Sequence, residues 1–206
     1  MSQITPVTLS LIAICIVVYL LSLFGLQENM MRLLLITQYL SPQYIEIRQG
    51  EIWRLVTPVF LHFGIFHIVF NLLWTWEFGR IIEWLHGNIR MLGITLIIGV
   101  VSNLYQYHET GPIFGGMSGV IYGYFGFLWV QGLINRNYPV KLNRRIVILL
   151  LGWFAVCWFG LIDWLFEIKV ANSAHTAGLI SGILIAIAMN WDHLLSRLRS
   201  ILKFNA

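Results

Sequence analysis

Charge is what this sequence has least of. Of 206 residues only 11% are Asp, Glu, Lys or Arg, while 58% are hydrophobic and the mean hydropathy is +0.77. Soluble domains carry roughly 25% charged residues. Too little charge is present to cover a water-soluble globule, and so much apolar surface excludes a disordered chain. Cysteine is scarce too. Cys15 and Cys157 both sit inside apolar runs, which excludes a disulfide framework and a zinc ribbon. The net charge of +4 comes without a Lys/Arg cluster long enough to track phosphates, so nucleic acid is not an expected partner. It reads as topological signalling to an anionic leaflet. What remains is a multi-pass membrane protein, with the lipid bilayer as its first partner.

Long runs free of charge are what is present instead. A helix needs about 20 mostly apolar residues to cross the hydrocarbon core, and only helices or closed barrels can do so. Six runs qualify as spans: residues 7–26, 58–76, 91–107, 111–135, 146–162 and 170–191. They are too long for barrel strands, so the expected fold is an all-α, polytopic six-helix membrane bundle. Six residues precede the first run and no small-residue cleavage site follows it, so it reads as a retained span, not a signal peptide. The long linker 27–57 contains an apolar stretch at 33–36 that is too short to cross. That stretch either lies in the interface or folds back on the bundle. No repeat or second domain is visible, and residues 1–206 read as one membrane domain with no soluble accessory domain.

Orientation follows from the basic residues. Arg80, Arg90, Arg136, Lys141, Arg144, Arg145, Arg197, Arg199 and Lys203 fall on one side, and Arg32, Arg48, Arg54 and Lys169 on the other. Nine against four makes the first side cytoplasmic and puts both termini there.

Polar residues within a span mark function by default. Span two carries His62, His67 and Asn71. Span four opens with Gly115, Gly116, Met117, Ser118 and Gly119, followed by Tyr122 and Gly123. Span six holds Asn172, His175, Gly178 and Gly182. Even-numbered spans run from outside to inside, so His67, Ser118 and His175 should share one depth below the outer interface, with Asn71 a turn deeper. His67 and Asn71 are i,i+4 neighbours, as are Ser118 and Tyr122. Gly119 with Gly123, and Gly178 with Gly182, make small-residue faces that let backbones approach closely. If spans four and six pack through them, the Ser118 hydroxyl and the His175 imidazole come within hydrogen-bonding reach. Taken singly, each feature also has a plain packing explanation. It is their clustering at one level that points to a site.

These residues resemble the rhomboid intramembrane serine proteases, most closely the bacterial type. The matching pieces run from Trp53 to Gly182: Trp53 with Arg54; His62, His67 and Asn71; Gly79, Glu83 and Gly87; Gly116, Met117, Ser118 and Gly119 with Tyr122; and Ala174, His175, Gly178 and Gly182. The resemblance implies a six-helix bundle around a water-filled cavity open to the outside. Ser118 would be the nucleophile and His175 its base. His67, Asn71 and the Ser118 backbone N–H would form the oxyanion hole, and Tyr122 would pack beside the imidazole. The linker with Trp53 and Arg54 would sit partly in the outer leaflet, and the loop 163–172 would cap the site. It further implies a bacterial inner-membrane location, with the site facing the periplasmic or extracellular side, and single-pass or multi-pass membrane proteins as substrates.

The chemistry suits those parts. A serine hydroxyl needs a base, and imidazole titrates near neutrality. No Asp or Glu lies near that depth on spans four or six, so a dyad is expected instead of a triad. No cofactor or metal is expected. The resemblance implies substrate entry between spans two and five; Trp74, Trp153 and Trp158 are either gate residues for it or ordinary lipid-facing aromatics. Three other readings compete. A catalytically inactive, client-binding relative is opposed by the intact Ser118/His175 pair. A small polar-cavity transporter is opposed by the lack of a repeat and of an intramembrane carboxylate near the cavity. A metalloprotease using His62, His67, His108 and His175 is opposed by the lack of a His-Glu-x-x-His string.

Overall fold

The computed structural model describes residues 5–39, 43–166, 169–192 and 194–195. The expected cytoplasmic residues Arg197, Arg199 and Lys203, and Glu167 of the 163–172 loop, lie outside the described residues. Those described are helical or irregular, with no strand among them. The helices in chain order are α1 (Pro6–Leu21), α2 (Gln27–Leu34), α3 (Ile45–Arg48), α4 (Ile65–His86), α5 (Asn88–Thr110), α6 (Ser118–Ile134), α7 (Arg144–Trp158), α8 (Leu161–Phe166) and α9 (Asn172–Met189). Three helical stretches are long and apolar enough to cross a membrane: Pro6–Leu34 (α1 and α2 taken together), α5 and α9. The shorter α6 is also apolar.

The helix bounds depart from the charge-free runs where backbone chemistry intervenes. Run 58–76 is not one helix. Its first residues form a tight turn at Thr57–Phe60, led by Pro58, and the chain stays extended at Gly64 before α4 begins. α4 then continues past Trp76 to His86, because its charges are accommodated: Glu77 pairs with Arg80 at 2.9 Å, and Glu83 is buried. Likewise residues 111–117 are loop, and run 146–162 breaks after Trp158 into a turn and the short α8.

The core is organised around α6. Eleven of its seventeen residues are buried, and Tyr124, Phe125 and Phe127 are fully enclosed. α9 packs most extensively on α6 and next on α5, while α1 packs on α4. The seam between α6 and α9 depends on glycine. A Cβ at Gly178 would run into the carbonyl of Gly119, and one at Gly182 into the carbonyl of Gly123. The two backbones are therefore in direct contact, which is the arrangement small-residue faces permit.

Two carboxylates fix the periphery. Glu83 accepts hydrogen bonds from Val7 N (2.8 Å), Thr8 N (2.8 Å) and Thr8 Oγ1 (2.7 Å). It thus closes the otherwise unsatisfied N-terminal amides of α1 and complements the helix dipole. In the 27–57 linker, buried Glu46 accepts from Thr37 Oγ1 (2.6 Å) and Gln38 N (2.9 Å). Nearby, buried Arg54 donates to Glu51 and to the carbonyls of Arg32 and Leu35. Of the 33–36 stretch, Leu35 and Ile36 are buried with this network and so fold back on the bundle, while Leu33 is exposed.

Candidate active site

Three helices begin at the same end of the bundle and deliver the polar groups there. His67 is the third residue of α4, Ser118 the first of α6 and His175 the fourth of α9. The glycine seam brings the last two together: His175 Nε2 lies 2.8 Å from Ser118 Oγ. The other ring nitrogen, Nδ1, is buried without a hydrogen-bond partner among the described residues, so no described carboxylate orients the imidazole. Orientation comes from packing. The Tyr122 ring lies 4.8 Å from the His175 ring, tilted by 36°. Tyr122 is itself held by Phe154 at 5.4 Å and by a 3.2 Å hydrogen bond from its hydroxyl to the Leu150 carbonyl.

The loop entering α6 brings α4 to the same place. Gly116 has φ +111°, and a Cβ there would sit 2.5 Å from His67 Nε2. Only glycine both adopts that backbone and leaves room for the imidazole. The Gly116 amide donates to Pro58 O at 3.1 Å, which ties the loop down. His67 Nδ1 accepts a long 3.5 Å contact from Phe63 N. Asn71 is one turn further along α4. Its Nδ2 donates to His67 O at 2.7 Å, and its buried Oδ1 has no partner among the described residues. His62 stands behind His67 with ring centres 5.0 Å apart, and its Nδ1 contacts the Phe60 carbonyl at 3.1 Å.

Other residues singled out in the sequence lie elsewhere. His108 is exposed beside Glu109, and among the described residues no three His, Cys, Asp or Glu side chains converge as metal ligands would. Trp74 is partly buried and stacks on Phe78 at 5.1 Å. Trp153 and Trp158 are each half exposed, and Trp158 Nε1 donates to Thr176 Oγ1 at 3.0 Å.

A family model described as "Rhomboid domain" matches residues 49–191. The chain belongs to the rhomboid family. It is 37% identical over 182 residues to proteins named "Rhomboid protease GlpG" from Salmonella paratyphi A, Salmonella typhi and Salmonella newport. Those alignments cover 88% of this chain and 62% of each relative, so the chain spans somewhat under two thirds of their length. Family and apolar helices together make this an integral membrane protein of the bacterial rhomboid type.

This rhomboid also uses residues that the pattern of polar groups left aside. Gln106 of α5 is buried; its Oε1 accepts from Ala174 N at 2.8 Å and its Nε2 donates to Thr110 Oγ1 at 2.8 Å. It thereby satisfies a first-turn amide of α9 directly before His175. Ser102, also on α5, lies against Gly119. Asn172 Nδ2 donates to Cys157 O at 3.0 Å, which joins the start of α9 to the end of α7. Gln106 and Ser102 sit within an apolar run, and the rule that polar groups are costly there applies to them as it does to His67 and His175.

Proposed function

We propose that this chain is an intramembrane serine endopeptidase that cuts a peptide bond near the outer end of transmembrane segments in membrane-protein substrates. The observation that carries the reading is the 2.8 Å contact between His175 Nε2 and Ser118 Oγ at the start of two glycine-packed helices. Ser118 Oγ attacks the scissile carbonyl carbon, and its proton passes to His175 Nε2. The imidazolium then gives that proton to the leaving amine, so the C–N bond breaks and an acyl-enzyme remains. A water molecule, deprotonated by the same nitrogen, attacks the ester carbon; the C–O bond breaks, and that proton passes to Ser118 Oγ as the carboxylic acid product leaves. His175 works without a carboxylate. The adjoining Tyr122 face stabilises the cation and restrains the ring, so turnover should be slower than in triad enzymes.

The negative oxygen of the tetrahedral intermediate falls to His67 Nε2–H, Asn71 Nδ2–H and the Ser118 amide. The positive end of α6 adds to them. Gly116 and Gly119 permit those approaches, Gly178 and Gly182 hold the seam, and His62 backs His67. A bond inside a helix is hidden by its own hydrogen bonds, so the substrate must unwind where it is cut, which favours small or helix-weakening residues there. The overall frame is a single six-span rhomboid domain with both termini cytoplasmic and its site open to the external side.

A fluorophosphonate probe should label the purified protein, and labelling should vanish in Ser118→Ala and His175→Ala. Equal labelling of the alanine variants would remove Ser118 from its role. Cleavage of a model single-span substrate in liposomes, with the cut mapped by mass spectrometry, then tests the position of the bond.

A further inference from the structure

Next to the site, at the joint between α7 and α9, the chain exposes a compact apolar surface that the chemistry above does not use. Phe159, in the turn, is 89% exposed, and Trp164 of α8 is 76% exposed. Leu161, Trp164 and Leu165 are spaced i, i+3, i+4, so all three share one face of α8. Leu161 and Leu165 are exposed as well, whereas Ile162 is buried. The segment is also tethered to its surroundings. Asp163 Oδ1 accepts from Val170 N at 3.2 Å, and Trp158 and Asn172 bind the flanking helices together.

We propose that α8 is an interfacial membrane anchor, and that its Leu161/Trp164/Leu165 face, together with Phe159, lies in the headgroup–acyl boundary beside the Ser118–His175 end of the bundle. Six residues are far too few to cross a bilayer, and a short helix with one apolar face lies in the plane of the interface. The occupant of the face is lipid because the surface is continuous with that of α7. That helix exposes Ile148, Leu149 and Trp153 on one side and leads directly into Phe159. An indole and a phenyl ring at the end of such a stripe match the aromatic belt of membrane proteins. The anchor would hold the joint at a set depth, and through Thr176 and Asn172 it bears on the turn of α9 that carries His175.

The test reads contact with lipid, independently of hydrolysis, so its outcome stands apart from the proposed activity. Cys15 and Cys157 are buried, which leaves Trp164→Cys in the full chain as the one accessible described thiol for a nitroxide label. In liposomes of phosphatidylethanolamine and phosphatidylglycerol, the label should collide with oxygen severalfold more, and with a water-soluble nickel chelate severalfold less, than the same label at the exposed position Asn137→Cys. Nickel accessibility equal to that control overturns the proposal. So does protection that appears only when a transmembrane peptide is added, since the occupant would then be substrate. A second variant guards against disturbance by the label. Trp164→Phe should lose part of the tryptophan quenching caused by lipids brominated near the headgroup, and unchanged quenching would count against the anchor.

Discussion

α6 and α7 are neighbours of similar length and similar apolar character, yet they occupy opposite mechanical positions. α6 buries eleven of its seventeen residues; α7 buries only Leu150 and Cys157 of its fifteen. Their glycines show the cause. Gly119, Gly123 and Gly126 on α6 each face another helix at contact distance, whereas Gly152 on α7 has no neighbour within 4 Å of where a Cβ would be. Apolar side chains face a partner or lipid with little difference in hydrophobic energy, because lipid tails are as apolar as leucine. Close backbone approach is what separates an internal helix from a peripheral one. Ser118, the proposed nucleophile, sits on the helix that can least afford to shift. Among the described residues α7 reaches the site through Tyr122, Thr176 and Asn172, so its displacement would break far fewer contacts than a shift of α6.

The largest expected effect tests that contrast directly. Gly178→Val drives a branched side chain into the Gly119 carbonyl, and the seam must open. Overpacking costs typically about 1–3 kcal/mol and occasionally more, and a clash with backbone belongs at the upper end. Thermal unfolding should shift sharply downward and fluorophosphonate labelling should be lost. Gly152→Ala on α7 should be neutral or stabilising by up to about 1 kcal/mol, with labelling retained. If the two variants behaved alike, the distinction between seam and periphery would fail. Next in size is Asn71→Ala. Removal of one oxyanion donor costs on the order of 100–1,000-fold in rate, and the loss should fall on kcat with KM little changed. An unaltered kcat would take Asn71 out of the oxyanion contact.

Some of this arrangement is legible in the sequence alone, and the reasons are specific. His67, Ser118 and His175 stood out because polarity inside an apolar run is expensive, and the glycine pairs carried the helical spacing of a contact face. Gln106 and Ser102 satisfy the same criterion on the third run, but no spacing in the sequence ties them to the polar groups of the even-numbered runs. Hydropathy reports composition and not backbone path. It therefore could not separate the turn at Thr57–Phe60 and the extended Gly64 from α4, nor the loop 111–117 from α6. Glu83 was visible as a motif residue, but its role in holding α1 depends on a contact between residues more than seventy positions apart, which no local pattern encodes.

That contact gives the next prediction. Glu83→Gln replaces a carboxylate that accepts from two amides and a hydroxyl with a neutral amide offering one acceptor oxygen, and a buried donor left unsatisfied costs about 1–3 kcal/mol. α1 should loosen from α4, seen as faster amide exchange at Val7 and Thr8, while probe labelling of Ser118 persists because the α6–α9 seam is untouched. The smallest effect belongs to the peripheral side of the comparison. Thr176→Val removes the acceptor of the Trp158 indole, and interhelical side-chain hydrogen bonds in membranes average about 0.6 kcal/mol. Global stability should barely move, but exchange at the end of α7 should rise relative to α6. If Thr176→Val destabilised the protein as much as Glu83→Gln does, α7 would have to be counted with the seam, and the asymmetry between the two helices would disappear.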